Sequence, residues 1–153
     1  MAERVKLQAS HQAASASRAG TFHHVGFVVT SIIHQGSAFA RSLGAEWNEE
    51  IIHDPLQQAR VTFMHCGGPN TPAIELVEPD SEKSPLQKFL AKGGGGLHHI
   101  CYEVDSLDAQ LQYCRSTGSL IVRQPLPALA FAGRHIAWVY TTQKLLVEYL
   151  ERA

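Results

Sequence analysis

Two glutamates and two histidine pairs are the residues of this sequence best suited to chemistry. Glu75 lies in Ala73-Ile74-Glu75-Leu76-Val77, and Glu148 in Leu146-Val147-Glu148-Tyr149-Leu150. Strand alternation gives Glu75 the same-face neighbours Ala73 and Val77, and gives Glu148 the neighbours Leu146 and Leu150. A carboxylate among apolar residues is costly to bury unless something pairs with it. The available partners are His24 and His99, the second members of two His-His pairs, 75 residues apart. The two glutamates are separated by nearly the same interval. A lone strand histidine is more often a hydrogen-bonded core residue than a ligand. Four such residues at equivalent places of a repeat need a common cause, and a divalent metal supplies one. Two neutral imidazoles and two carboxylates neutralise its charge and leave positions for water or substrate.

The repeat sets the architecture. Phe22-His23-His24-Val25-Gly26-Phe27-Val28 recurs as Leu97-His98-His99-Ile100-Cys101-Tyr102-Glu103. A period near half the chain implies two similar modules. The first runs over 21–79, a connector over 80–95 and the second over 96–152. In module one, a strand over 21–29 turns Val25, Phe27 and Val29 to one face and His24, Gly26 and Val28 to the other. Gly26 leaves open space beside an imidazole. Thr30 or Ser31 caps a helix that Gly44 ends. Strands follow over 45–54, 60–66 and 72–77, with turns at Pro55 and at Gly67-Gly68-Pro69-Asn70. Ser84-Pro85 opens a short connector helix with Leu86, Phe89 and Leu90 on its apolar face. Module two repeats the plan. A strand covers 97–104, and a helix capped by Asp105 or Ser106 buries Leu107, Leu111 and Cys114. Strands follow over 120–123, 134–140 and 145–150, with a loop over 125–132. The class is α+β, as two tandem βαβββ modules.

Strand parity turns His23 and His98 away from His24 and His99. They are expected to pack against the helix layer, since only a bulge brings them to the same site. His34, His53, His65 and His135 have no supporting spacing.

Composition narrows the function. A formal net charge of −1 leaves no electrostatic footprint for nucleic acid or an anionic membrane surface. No apolar run is long enough to span a bilayer. Cys66, Cys101 and Cys114 form no C-x-x-C spacing, which speaks against a disulfide framework and for a reducing, cytoplasmic setting. Residues 1–20, rich in Ala, Ser and Gln, read as a mobile tail without the apolar stretch of a secretory signal.

Paired βαβββ modules with one His and one Glu from each resemble the vicinal oxygen chelate superfamily, which includes glyoxalase I, methylmalonyl-CoA epimerase, extradiol dioxygenases and resistance proteins. The epimerase branch is the most similar. Its likeness rests on His23-His24-Val25-Gly26, Ile74-Glu75-Leu76-Val77-Glu78-Pro79, the Ser84-Pro85-Leu86 connector, Gly95-Gly96-Leu97-His98-His99-Ile100-Cys101-Tyr102-Glu103-Val104-Asp105, and Leu146-Val147-Glu148. The resemblance implies one cup-shaped mixed sheet with helices on its outer face. It implies a Co, Ni, Mn or Zn ion held by His24, Glu75, His99 and Glu148, and a homodimer. It further implies proton abstraction next to a carbonyl, with Glu148 as the catalytic base, on a small molecule such as an acyl-CoA. A glyoxalase-I-like lactoylglutathione lyase and a non-catalytic binding or resistance protein are the alternatives. Two segments depart from the epimerase pattern. Val61-Thr62-Phe63-Met64 carries no second acid, and the last third lacks the His-Gly and His-Pro-Lys stretches. Arg134 and Lys144 are candidate contacts for an anionic substrate group, beside the commoner reading of an exposed basic residue as simply solvated.

Overall fold

Each half of the chain opens with a strand and then caps a helix, and the structure, a computed structural model describing residues 20–153, follows that order. The tail expected over 1–20 lies outside the described residues, apart from Gly20. Strand β1 (Thr21–Val28) leads into α1 (Ile32–Leu43). The Ser31 hydroxyl accepts from the His34 amide at 3.4 Å, and Gly44 ends the helix in the left-handed region at φ 62°. Strands β2 (Glu46–Trp47), β3 (Ile52–Asp54), β4 (Ala59–His65) and β5 (Ala73–Pro79) complete module one. The connector helix α2 (Leu86–Gly93) follows. Module two comprises β6 (Gly96–Val104), α3 (Leu107–Ser116), β7 (Leu120–Pro127), β8 (His135–Tyr140) and β9 (Leu146–Glu151), with a 3-10 turn over Leu129–Phe131. No helix among the described residues is long and apolar enough to cross a membrane.

All nine strands join one mixed sheet in the order β2-β4-β5-β1-β6-β9-β8-β7, with β3 also paired to β4. The two modules meet where β1 runs antiparallel to β6. On either side the pattern mirrors itself: β5 is parallel to β1, and β9 is parallel to β6. The expected α+β class and paired modules are therefore present. Two local expectations change. The strand expected over 45–54 is split into β2 and β3, because Glu49 takes a positive φ of 63° between them. Thr62 of β4 holds β2 and the break that follows it, accepting from Trp47 Nε1 at 2.7 Å and donating to the Glu50 carbonyl at 2.5 Å. The strand expected to stop at Arg123 instead runs to Pro127 with two register irregularities. Pro125 is tolerated there because β7 is the sheet edge.

The helices α1 and α3 cover one face of the sheet. Ile32 packs with Val29, Met64 and Leu76, while Leu107, Leu111 and Cys114 pack with Val104, Ala137 and Val139. Helix α2 sits on the opposite face, with Leu86 against Val28, Val61 and Val77.

The closing strand of each module carries a second glutamate three residues after the first, which points the two to opposite faces. Glu78 accepts from the Ile32 amide at 2.5 Å and from Arg60 Nε at 2.5 Å. Its counterpart Glu151 accepts from the Leu107 amide at 3.1 Å. Each thus places negative charge at the N-terminus of its module's helix, where unpaired amides and the helix dipole favour it. Replacing Glu78 by Ala strips a buried amide and a guanidinium of one partner. Glu78→Ala should cost about 2 kcal/mol, measured as a lower urea midpoint at unchanged slope, with metal affinity retained.

Candidate metal centre

The sheet register brings the four predicted residues together. Glu75 of β5 lies level with Gly26 of β1, and Gly26 lies level with His99 of β6. On the neighbouring rung Glu148 of β9 lies level with Cys101 of β6, and Cys101 with His24 of β1. In each rung a carboxylate and an imidazole flank one small residue and lean over it toward each other. Gly26 is required for this. A Cβ there would lie 2.0 Å from His99 Cε1 and 2.5 Å from both ring nitrogens.

The resulting cluster is tight and buried. His24 Nε2 is 3.1 Å from His99 Nε2, 3.4 Å from Glu75 Oε2 and 3.1 Å from Glu148 Oε2. His99 Nε2 is 3.1 Å from Glu75 Oε2 and 3.5 Å from Glu148 Oε2. None of the four residues is more than 5% exposed. Ligands held at about 2.0–2.2 Å on neighbouring positions of a single ion stand about 3 Å apart, so the donor set fits a divalent metal. A pair of simple ion pairs would leave less unexplained if every oxygen were satisfied. Glu148 Oε2 is not: it is fully buried, and both imidazoles approach it without hydrogen-bonding geometry.

Electrostatics in the cluster follow from these contacts. Burial disfavours the charged form of His24, but Glu75, then the Cys101 thiol and Glu148, outweigh it and raise its proton affinity well above the ordinary imidazole value. His99 shifts the same way: burial is outweighed by the adjacent carboxylates of Glu148 and Glu75. Burial would raise both glutamates, yet the two imidazoles hold them below the usual carboxylate range. The outer histidines go down. Burial and then the charge of His99 push His98 to about 4, and burial and then His24 lower His23.

His23 and His98 are not placed as parity alone predicts. Between Phe22 and His24 the β1–β6 register slips by one residue, and it slips back between Gly26 and Phe27. The first slip makes His23 the extra residue of a bulge, and the second makes His98 the extra residue. Each returns to the side of the following histidine. His23 Nδ1 is 2.8 Å from His24 Nδ1, and His98 Nδ1 is 3.0 Å from His99 Nδ1. His98 does touch a helix, through Phe89 of α2 at 4.9 Å between ring centroids, but it also lines the cavity above the cluster. Among the described residues, His34, His53, His65 and His135 are not part of the cluster, and His53 is paired to Asp80 at 3.3 Å.

Glu75, His99 and Glu148 of the cluster line the floor of a cavity of about 450 Å³ walled by Val61, Val77, Leu86, Phe131, Ile136 and Trp138. Trp138 stands edge-on to His99 at 4.7 Å, and Phe63 edge-on to His24 at 5.7 Å. These two aromatics share the offset of the histidines, so the repeat could have revealed them. The cavity also holds Asp54, whose oxygens are taken by the Leu129 amide at 2.6 Å and the Gln57 amide at 3.2 Å. Neither candidate basic contact lies at the cavity. Arg134 is paired with Glu103 at 2.6 Å, and neither it nor Lys144 lines the cavity, whereas Arg123 does.

Comparison with known proteins points to one family. A family model described as the Glyoxalase/Bleomycin resistance protein/Dioxygenase superfamily matches residues 23–138. The ethylmalonyl-CoA/methylmalonyl-CoA epimerase of Cereibacter sphaeroides is 30% identical over 122 residues, spanning 79% of this chain and 88% of that protein. The mitochondrial methylmalonyl-CoA epimerase of Dictyostelium discoideum is 28% identical over 138 residues, spanning 87% and 79%. The crystal structure of methylmalonyl-CoA epimerase from Mycobacterium tuberculosis superposes with a TM-score of 0.77 at 24% identity, over 93% of this chain and 94% of that one.

Two outcomes follow for metal binding. The His99 ring is held at both nitrogens, so Gly26→Ala must push it out of the cluster. Co²⁺ affinity should fall at least about tenfold with the circular dichroism spectrum unchanged. Protons on His24 and His99 must leave before Nε2 can act as a ligand. Because both are held above the ordinary value of 6.5, Co²⁺ affinity should rise with pH through and above that value. Calorimetric titration in buffers of different ionisation enthalpy should detect proton release at neutral pH.

Proposed function

The chain belongs to the glyoxalase/bleomycin resistance protein/dioxygenase superfamily, and we propose that it is a divalent-metal-dependent isomerase that takes a proton from the carbon next to the carbonyl of an acyl-CoA thioester, in the manner of the methylmalonyl-CoA epimerases. One observation carries the reading: two Nε2 atoms and two carboxylates converge at a buried point on the floor of a cavity, their ligand atoms all within 4.8 Å of one another. The relatives named as epimerases of malonyl-type CoA esters supply the substrate class.

His24, Glu75, His99 and Glu148 hold the ion in this reading. When bound, such an ion supplies Lewis acidity that stabilises the negative charge proton removal leaves on a carbonyl oxygen. The chain's own residues do the rest. Glu148 receives the proton in this reading, because its carboxylate is buried in the lining of the cavity. Burial raises its affinity for that proton, while protonated imidazoles would suppress it. Neutral His24 and His99 are therefore part of the working state. Val61, Val77, Ile136 and Trp138 keep the cavity apolar, which strengthens every charge interaction within it. Arg123 anchors the wall by donating to the Leu56 carbonyl at 2.6 Å and to Gln57 at 3.2 Å, and it offers positive charge to a substrate carboxylate.

A second reading shares this site. Inverting a carbon requires proton traffic on two faces. Beyond the cluster's own glutamates, the carboxylate lining the cavity is Asp54, and both of its oxygens are already engaged. A glyoxalase-type isomerisation needs one carboxylate to carry a proton between adjacent carbons, which favours that alternative on this observation.

Solvent deuterium incorporation at C2 of methylmalonyl-CoA tests the proposal, with lactoylglutathione formation from methylglyoxal and glutathione as the competing assay. The Co²⁺-loaded protein should exchange C2, and Glu148→Gln should lose about 100- to 10,000-fold in rate. Absence of exchange in the loaded protein sinks the epimerase reading. Lactoylglutathione formation in its place establishes the second.

A further inference from the structure

The two bulges in the β1–β6 pair need a reason. A bulge leaves one residue unpaired and disrupts the ladder. Here it happens twice, at the first histidine of each pair, in the most central pairing of the sheet. The result is the same both times: an outer Nδ1 comes within 3.0 Å or less of an inner Nδ1. The inner rings meanwhile turn Nε2 to the cluster. Each outer ring is also fixed on its other side. His23 stands edge-on to Phe131 at 5.4 Å, and His98 is held by Phe89 at 4.9 Å and Trp138 at 6.1 Å.

We propose that His23 and His98 are positioning residues for the metal centre: each accepts the Nδ1 proton of the imidazole that follows it, and so presents that imidazole's Nε2, unprotonated, to the ion. Two imidazole nitrogens at this distance share one proton, so one donates and the other accepts. A ligating ring commonly donates its second N–H to a partner, which fixes its tautomer and orientation. That partner is usually a carboxylate or a carbonyl; in this chain it is the preceding histidine, delivered by the bulge. The symmetry of the arrangement supports the assignment, because the two modules reach it from different surroundings. His24 also has the Cys101 thiol within reach, while the equivalent position beside His99 is Gly26, which has no side chain.

The inference rests on the metal reading of the cluster, and Co²⁺ titration of the full chain against a competing chelator separates the two. His23→Phe and His98→Phe keep an aromatic ring of similar size and remove the acceptor. Asn at either position restores an acceptor oxygen close to where Nδ1 stood. Each Phe variant should bind Co²⁺ about 10- to 100-fold more weakly than the unaltered protein, and each Asn variant should recover most of that loss. In the zinc-loaded protein, ¹H–¹⁵N correlation spectra should show His24 and His99 as Nδ1–H tautomers, a readout that needs no variant to fold. Phe variants that bind as the unaltered protein does, Asn variants as weak as Phe, or ligand rings protonated at Nε2 overturn the proposal. An unaltered protein that binds no Co²⁺ overturns the metal reading instead.

Discussion

The structure depends on the antiparallel pairing of β1 with β6 and on the two small residues it sets between larger ones. Gly26 separates Glu75 from His99, and Cys101 separates Glu148 from His24. Groups two strands apart would ordinarily be too distant to touch, since neighbouring strands lie nearly 5 Å apart. Over a residue with little or no side chain they can lean inward and meet. Joining two modules at this pair therefore builds a four-group cluster from single residues on four strands. Neither module could assemble it alone, because each supplies one imidazole and one carboxylate.

Burying four titratable groups at one point is costly, and the surrounding structure shows how that is managed. The imidazoles and carboxylates offset one another's desolvation, and their proton affinities move in opposite directions as a result. The second glutamate of each closing strand faces the other way and caps a helix. One short phrase, glutamate followed three residues later by glutamate, thus serves the cavity and the helix layer through strand alternation. The walls of the cavity are less symmetrical than its floor. Module two contributes the 3-10 turn with Phe131 and the edge strand with Arg123, and module one contributes Asp54 and Gln57. The floor is built from matched residues of the two modules, while the walls are not.

Most of the fold was legible because the signals were local. Ser31, Gly44, Ser106 and the apolar face of Leu107, Leu111 and Cys114 mark their helices within a few residues. The grouping of His24, Glu75, His99 and Glu148 was legible because the repeat doubled each weak signal: one buried glutamate or one histidine decides little, but matched copies do. The split of β2 from β3 and the extension of β7 through Pro125 were less legible. The first depends on Thr62 reaching across from β4, and the second on β7 having an unpaired edge.

The amino-acid sequence by itself determined the two modules and the grouping of His24, Glu75, His99 and Glu148, and it marked Gly26 as open space beside an imidazole. Each follows from alternation, offset and side-chain size, which are properties of the chain. Only the tertiary structure decided where His23 and His98 point, that Arg123 and not Arg134 faces the cavity, and that Asp54 is already engaged. Parity predicts the opposite for the outer histidines because it assumes an unbroken ladder. A bulge is a property of two strands paired in a particular register, and β1 and β6 lie most of a hundred residues apart in the chain until folding brings them together.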